Sequence, residues 1–252
     1  LQSLANLARR FDPAFSLFNS DLMLASVYCW QKRIFPLARL EIETNEGGVA
    51  GIQCRDDEWA IDYELPPFQI MHLRLGGLSC IDPQHGRRAT LEIAVDGREY
   101  ELDESGEPAA VTFQSMLKRH DPDLILTEYG DSTIMPRLLQ QAAKLKLPLA
   151  LNRDPDTEIR QSRARSFMSY GRILFKDSAT TLFGRLHVDR RNSFISDKCD
   201  CAGLWELARI TKLPVQYAAR TTTGTGISYM QMEIAYRDGV LIPEQKAEPE
   251  DL

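Results

Sequence analysis

The chain has 252 residues, 43% of them hydrophobic and 26% charged, with a formal net charge of −6. That length holds one large domain or two small ones, and the balance is that of an ordinary globular protein. No apolar run approaches the roughly 20 residues of a membrane-spanning helix, and the acidic total excludes a protein that binds nucleic acid by bulk charge alone.

The start, "LQSLANLARRFDPAF", lacks the long apolar core and cleavage site of a secretory leader, and the missing initiator Met points to a fragment. Residues 14–66 alternate short apolar runs ("LMLASVYCW", "RIFPLARLEIE", "GVAGIQC", "EWAIDYEL") with polar breaks, which reads as β-rich. The turn "NEGG" predicts a hairpin between "ARLEIET" and "VAGIQC", and Pro66-Pro67 marks a domain boundary. Beyond it "FQIMHLRL" reads as a strand, and "ATLEIAV" and "REYELD" form a hairpin about Asp96-Gly97. "AAVTFQSMLKRH" has helical spacing and stops at "DPD"; "LILTEY" is a buried strand; "MPRLLQQAAKLK" is an amphipathic helix with proline at its start. Strand, hairpin, helix, strand, helix is the order of a mixed sheet covered by helices. "RILFKDSATTLFGRLHVD" reads as two further strands, "AGLWELARITK" as a helix stopped by Pro214, and "GISYMQMEIAYRDG" as a helix ending near Gly239.

Five cysteines (Cys29, Cys54, Cys80, Cys199 and Cys201) are odd in number and scattered, and Cys199-Asp200-Cys201 is too tight for a zinc Cys-x-x-Cys pair. A reduced, cytoplasmic protein is expected. His72, His85, His120 and His187 share no metal-binding spacing; His187 and Asp189 read as structural. Charge is uneven: "IRQSRARSF" carries Arg160, Arg163 and Arg165, and "GRLHVDRR" carries Arg185, Arg190 and Arg191. Such stripes either contact phosphates or are solvated surface. "TTTGTG" lacks the Lys-Ser/Thr of a phosphate loop.

Four segments, in order, resemble family B DNA polymerases. "FNSDLMLASVYCWQKRIFPLA" is similar to their N-terminal domain, with the Phe-Pro-Leu-Ala turn of the bacterial and archaeal branch. "DYELPPFQIMHLRL" resembles the entry to the 3′–5′ exonuclease domain, "DPDLILTEYGD…PRLLQQA" the strand and helix around its second motif, and "ARTTTGTGISYMQMEIAYRDGVLIPEQK" the Arg-x-x-x-Gly segment leading toward the palm. The resemblance implies an α/β chain in three parts. A β-rich N-terminal domain spans 1–67, and a ribonuclease-H-like, exonuclease-like domain with a mixed sheet spans 68–205. A helical connection toward a palm that is not present spans 206–252. The palm motifs Asp-x-x-Ser-Leu-Tyr-Pro and Asp-Thr-Asp do not occur, so Mg²⁺ is expected for a parent polymerase and no cofactor for this segment.

The first exonuclease motif of the family is Asp-x-Glu. Glu41-Ile42-Glu43 mimics it, because residues i and i+2 share a strand face and two carboxylates there can hold a divalent metal. The strand after Pro66-Pro67 is the better positional match, and there the two positions are Arg74 and Gly76. Glu41 and Glu43 then read as solvent-facing strand residues. Two-metal hydrolysis needs carboxylates converging on ions roughly 4 Å apart; an arginine and a glycine supply none. At the second motif Ile134 stands where Asp is expected, and Asp131 is either a remnant ligand or a helix cap. The third motif has no clean match, with Asp197 and Asp200 present but no tyrosine.

The reading is a degenerate exonuclease-like platform that contacts primer–template or single-stranded DNA through Arg160, Arg163, Arg165 and Arg220, with Thr222 and Thr223 near the backbone. The competing reading is an active proofreading nuclease using Glu41, Glu43, Asp131 and Asp200.

Overall fold

The computed structural model describes residues 18–20, 22–76, 90–102, 108–169, 172–176 and 178–243. The fold is mixed α/β, and the chain divides into two compact units: Leu1–Glu64 with Leu204–Leu252, and Leu65–Gly203. The expected third segment, 206–252, is thus grouped with the N-terminal part instead of standing alone.

The second unit is built on a five-stranded sheet. Its strands are β3 (Ile70–Leu75), β4 (Leu91–Val95), β5 (Arg98–Leu102), β6 (Leu124–Thr127) and β11 (Leu186–Asp189), in the spatial order β11-β6-β3-β4-β5. The strands β11, β6 and β3 run parallel, and β4 and β5 are antiparallel additions. Alternation explains one covered face: Met71, Leu73, Leu91, Ile93 and Val95 are buried with Phe113 and Leu117 of helix α2 (Ala109–His120) and Leu138 of helix α3 (Met135–Leu145). Each such side chain contributes about 1.5–3 kcal/mol on burial. The turn joining β4 to β5 is Asp96-Gly97, both at positive φ (53° and 69°), which is the conformation a two-residue hairpin demands. Helix α2 ends at Asp121, whose left-handed φ of 38° turns the chain into β6. Between β6 and α3 lies a five-residue π-helical turn, Gly130–Ile134.

Between α3 and β11 lie two short ribbons. Strand β7 (Arg160–Ser162) pairs with β10 (Ala179–Thr181), and β8 (Arg165–Ser169) pairs with β9 (Arg172–Lys176). The sequence 172–189 therefore makes three strands where two are expected, because the β7–β10 pairing is long-range and leaves no local mark.

The first unit contains the expected hairpin, β1 (Leu40–Asn45) with β2 (Gly48–Cys54), and is otherwise mostly helical. "LMLASVYCW" is not a strand: helix α1 (Leu24–Lys32) buries Ser26 and Trp30, one turn apart, and Ser26 Oγ donates to the Lys212 carbonyl at 3.0 Å. A short apolar run cannot be assigned to strand or helix by periodicity alone. "EWAIDYEL" forms no strand either. The Asp57 side chain accepts the Trp59 N–H and its carbonyl accepts that of Ala60, closing a local turn in place of a ladder. Helix α4 (Ser196–Thr211) is broken at Asp200 (φ 52°, ψ −159°). Helices α5 (Val215–Ala219) and α6 (Thr223–Arg237) complete the unit. Trp30 of α1 packs on Tyr236 of α6 at 5.6 Å between ring centroids.

Among the described residues no helix is long and apolar enough to cross a membrane.

Candidate functional site

In the open α/β sheet, strand ends are where ligand-binding residues collect. The C-terminal end of β3 carries the two positions singled out above. Arg74 lies directly opposite Glu92 of β4 in the sheet register, and its Nε donates to the Glu92 carboxylate while Nη2 reaches Glu99 at 3.3 Å. The guanidinium is therefore held by two carboxylates on neighbouring strands. At Gly76 an added Cβ would meet Thr90 Oγ1 and lie 2.6 Å from Glu92 Oε1. A cleft of about 580 Å³ opens here, lined by His72, Arg74, Glu92, Glu99, Glu128 and Arg190 among others. Burial, and then the positive charges of Arg190 and Arg74, push the His72 imidazole below its ordinary pKa, so near neutral pH it is uncharged. The named carboxylates outnumber the cations, which disfavours a phosphate in this cleft.

Asp131 is elsewhere in chemistry. It is 1% exposed, its Oδ1 accepts the Thr180 N–H at 2.7 Å, and its Oδ2 accepts Asn192 Nδ2 at 2.8 Å. It is neither a remnant metal ligand at the strand end nor a cap for α3. The cap-like role in this loop falls to Asp189, whose carboxylate accepts the N–H groups of Tyr129, Asp131 and Arg191. Ile134, where the second motif would place aspartate, is 2% exposed in the apolar core.

Around Asp131 lies a buried chain that sequence reasoning missed. His187 Nδ1 donates to the Thr180 carbonyl at 2.8 Å, which fixes the tautomer and leaves Nε2 to accept from Thr127 Oγ1 at 3.0 Å. Asp131 Oδ1 stands 3.6 Å from His187 Nδ1. Hydroxyl, imidazole and carboxylate in line resemble a nucleophile, base and orienting acid. The surroundings preclude that chemistry. Thr127 is 1% exposed, and the Gly130 backbone is laid so closely over it that an added Cβ would be 2.6 Å from Thr127 Cβ and 2.8 Å from His187 Nε2. The network is a structural tie between β6, β11 and the π-turn.

The other anticipated ligands are dispersed. Glu41 and Glu43 lie exposed on the hairpin of the first unit, where Arg55 pairs with Glu41 (Nε–Oε2 2.8 Å). Asp200, at the break in α4, pairs with Arg190 at 3.3 Å. Among the described residues no group of three or more His, Cys, Asp or Glu side chains is placed to hold a metal ion.

Of the anticipated DNA contacts, Arg160 and Arg163 are exposed in the second unit, Arg160 with its guanidinium 5.0 Å from the Phe183 ring centroid. Arg165 begins β8, opposite Lys176. Arg220 is a correction: it is 5% exposed, with Nη1 donating to the Gln216 carbonyl at 2.9 Å, so its guanidinium is not presented to a phosphate. Thr222 caps α6, its hydroxyl accepting the Thr225 N–H, and Thr223 is exposed in the first turn.

No family model matches the chain, and no curated protein matches it in sequence. Among solved structures, 107 chains match. One is the family B DNA polymerase from the hyperthermophilic archaeon Pyrobaculum calidifontis, 18% identical, with a TM-score of 0.59 over 93% of this chain. The match takes in 38% of that polymerase, so this chain spans well under half its length and shares its fold over that part.

Proposed function

We propose that the chain is the front part of a family B-type DNA polymerase, in which the second unit is a ribonuclease-H-like exonuclease domain that has lost nuclease chemistry and serves as a scaffold and DNA-contacting platform. One observation carries the loss of chemistry. The strand position where the family has its first metal-binding aspartate holds Arg74, and that cation is itself ion-paired to Glu92 and Glu99. A cation there repels a divalent metal, and the carboxylates that could draw one are engaged by the guanidinium. The position two residues on, Gly76, has no side chain to offer. The reading of an active nuclease using Glu41, Glu43, Asp131 and Asp200 loses support from the burial of Asp131 and the separate pairing of Glu41 and Asp200.

Arg160, Arg163 and Arg165, with Thr222 and Thr223, remain the contacts to the DNA backbone. The test is incubation of the chain with a 5′-labelled single-stranded oligonucleotide and Mg²⁺ or Mn²⁺. The expected result is a strand of unchanged length that is nevertheless retained weakly by the protein at low salt. Progressive shortening from the 3′ end overturns the proposal.

A further inference from the structure

A second cleft of the same unit, about 460 Å³, is lined by Asp131, Pro136, Gln161, Ser162, Arg163 and Thr180 among others. Its volume lies in the range of small-molecule sites. One wall is already occupied in hydrogen bonding: Thr180 N–H and Asn192 Nδ2 both donate to the Asp131 carboxylate. The other wall is different. Gln161, Ser162 and Arg163 are three consecutive exposed residues, and none makes a side-chain hydrogen bond or ion pair with another described residue. Gln161 and Arg163, two residues apart, thus line one cleft with no side-chain partner among the described residues. Strand β7 sets Gln161 opposite Thr180 and Ser162 opposite Ala179.

The chemistry of this wall matches a nucleotide. A glutamine amide carries one donor and one acceptor side by side, the pattern that adenine presents along its N6 and N7 edge. A guanidinium at the rim takes a phosphodiester. Arg160, one residue before Gln161 and stacked over Phe183, supplies a second cation on the same short strand. The bases of a duplex are stacked and paired, so one base can enter a cleft of this kind only from an unpaired strand. We infer that this cleft holds a single unpaired nucleotide of a DNA strand, its base edge on Gln161 and its phosphate on Arg163. The inference rests on the DNA-contacting reading above and narrows it to one nucleotide and one strand state.

The test uses fluorescein-labelled oligo(dA) and oligo(dT), with the whole chain and two surface variants, Gln161→Ala and Arg163→Ala, each checked for fold by circular dichroism. Anisotropy is read as a function of salt. The parent binds oligo(dA) more tightly than oligo(dT), by roughly fivefold, the lower end of a two-point amide contact. Gln161→Ala brings that ratio to about one without altering the salt dependence. Arg163→Ala weakens both oligonucleotides and reduces the log–log salt slope by about 0.7, one phosphate on a single strand. If the parent shows no preference, or Gln161→Ala leaves the ratio unchanged, the nucleotide cleft is refuted while Arg163-dependent binding keeps the broader reading alive. If neither oligonucleotide binds at low salt, both fall together.

Discussion

Replacing Gly130 by alanine adds one methyl group to the most closely packed place in the second unit. That methyl would sit against Thr127 Oγ1, 2.6 Å from Thr127 Cβ and 2.8 Å from His187 Nε2, with every neighbour buried. Overpacking of a rigid interior costs about 1–3 kcal/mol. Making room by moving Thr127 aside parts it from His187 and leaves a buried ring nitrogen without its donor, a further cost of about 1–3 kcal/mol. The sum, about 2–6 kcal/mol, is a large share of a typical domain's stability. At a urea slope of about 2 kcal/mol per molar it moves the midpoint by about 1–3 M. The three tryptophans, Trp30, Trp59 and Trp205, all belong to the first unit, so their fluorescence follows that unit, whereas far-ultraviolet circular dichroism sees both. Gly130→Ala should lower the dichroism midpoint by more than the fluorescence midpoint. Thr127→Ala in the same background should recover part of the loss, because the two substitutions act on one contact and cannot add. A dichroism midpoint within about 0.3 M of the parent, or strict additivity of the two changes, would refute the packing described.

Three further outcomes are expected. The buried guanidinium of Arg185 donates to the carbonyls of Pro122, Ala150 and Leu151 and to Asp121; Arg185→Met strands those acceptors, at about 3–5 kcal/mol, and thermal unfolding should fall by roughly 10 °C. Hydrogen bonds from Arg153, joined by Arg185, hold the Asp121 carboxyl below the ordinary range, so its contribution is present above the unfolded value of about 3.9 and is lost as pH falls through the lower folded value. Asp121→Asn should flatten that acid limb of a stability-against-pH curve and leave the neutral region parallel to the parent. Arg74→Ala removes only solvent-exposed ion pairs, so its unfolding midpoint in urea should correspond to a change under about 1 kcal/mol.

Much of the second unit was legible because its signals are local. Asp96-Gly97 dictates a two-residue hairpin, the spacing in 109–120 gives a helix, and the apolar run 124–127 has the length of a buried strand. The place of Arg74 near the end of a strand was legible for the same reason, since it needs only a strand and a position along it. What was hidden depends on partners far away in sequence. Ser26 and Trp30 identify a helix only once Lys212 and Tyr236 are beside them. The strand Ala179–Thr181 exists by pairing with Arg160–Ser162. Asp131 reads as a ligand or a cap and Arg220 as a DNA contact because sequence does not reveal whether a polar side chain will be buried with its own partners. A sharper signal for the first of these was present: a glycine, an aspartate and a distant histidine–aspartate pair are the residue types a close-packed polar tie requires.

The small space at Gly76 bears on whether the change at this strand end could be undone. On the proposed reading, reverting Arg74 to aspartate would return one ligand and release Glu92 and Glu99, but the other position is no longer vacant. The side-chain ends of Thr90 and Glu92 occupy the volume that a glutamate at 76 would need, with Glu92 Oε1 only 2.6 Å from where its Cβ must go, so they must swing aside to admit it. On the same reading an aspartate at 134 would be buried among apolar side chains, which is costly for a carboxylate. On that reading packing acts as a ratchet at positions 76 and 134, where a regained carboxylate must displace or be buried among its neighbours, so drift away from an enzyme meets less resistance there than drift toward one.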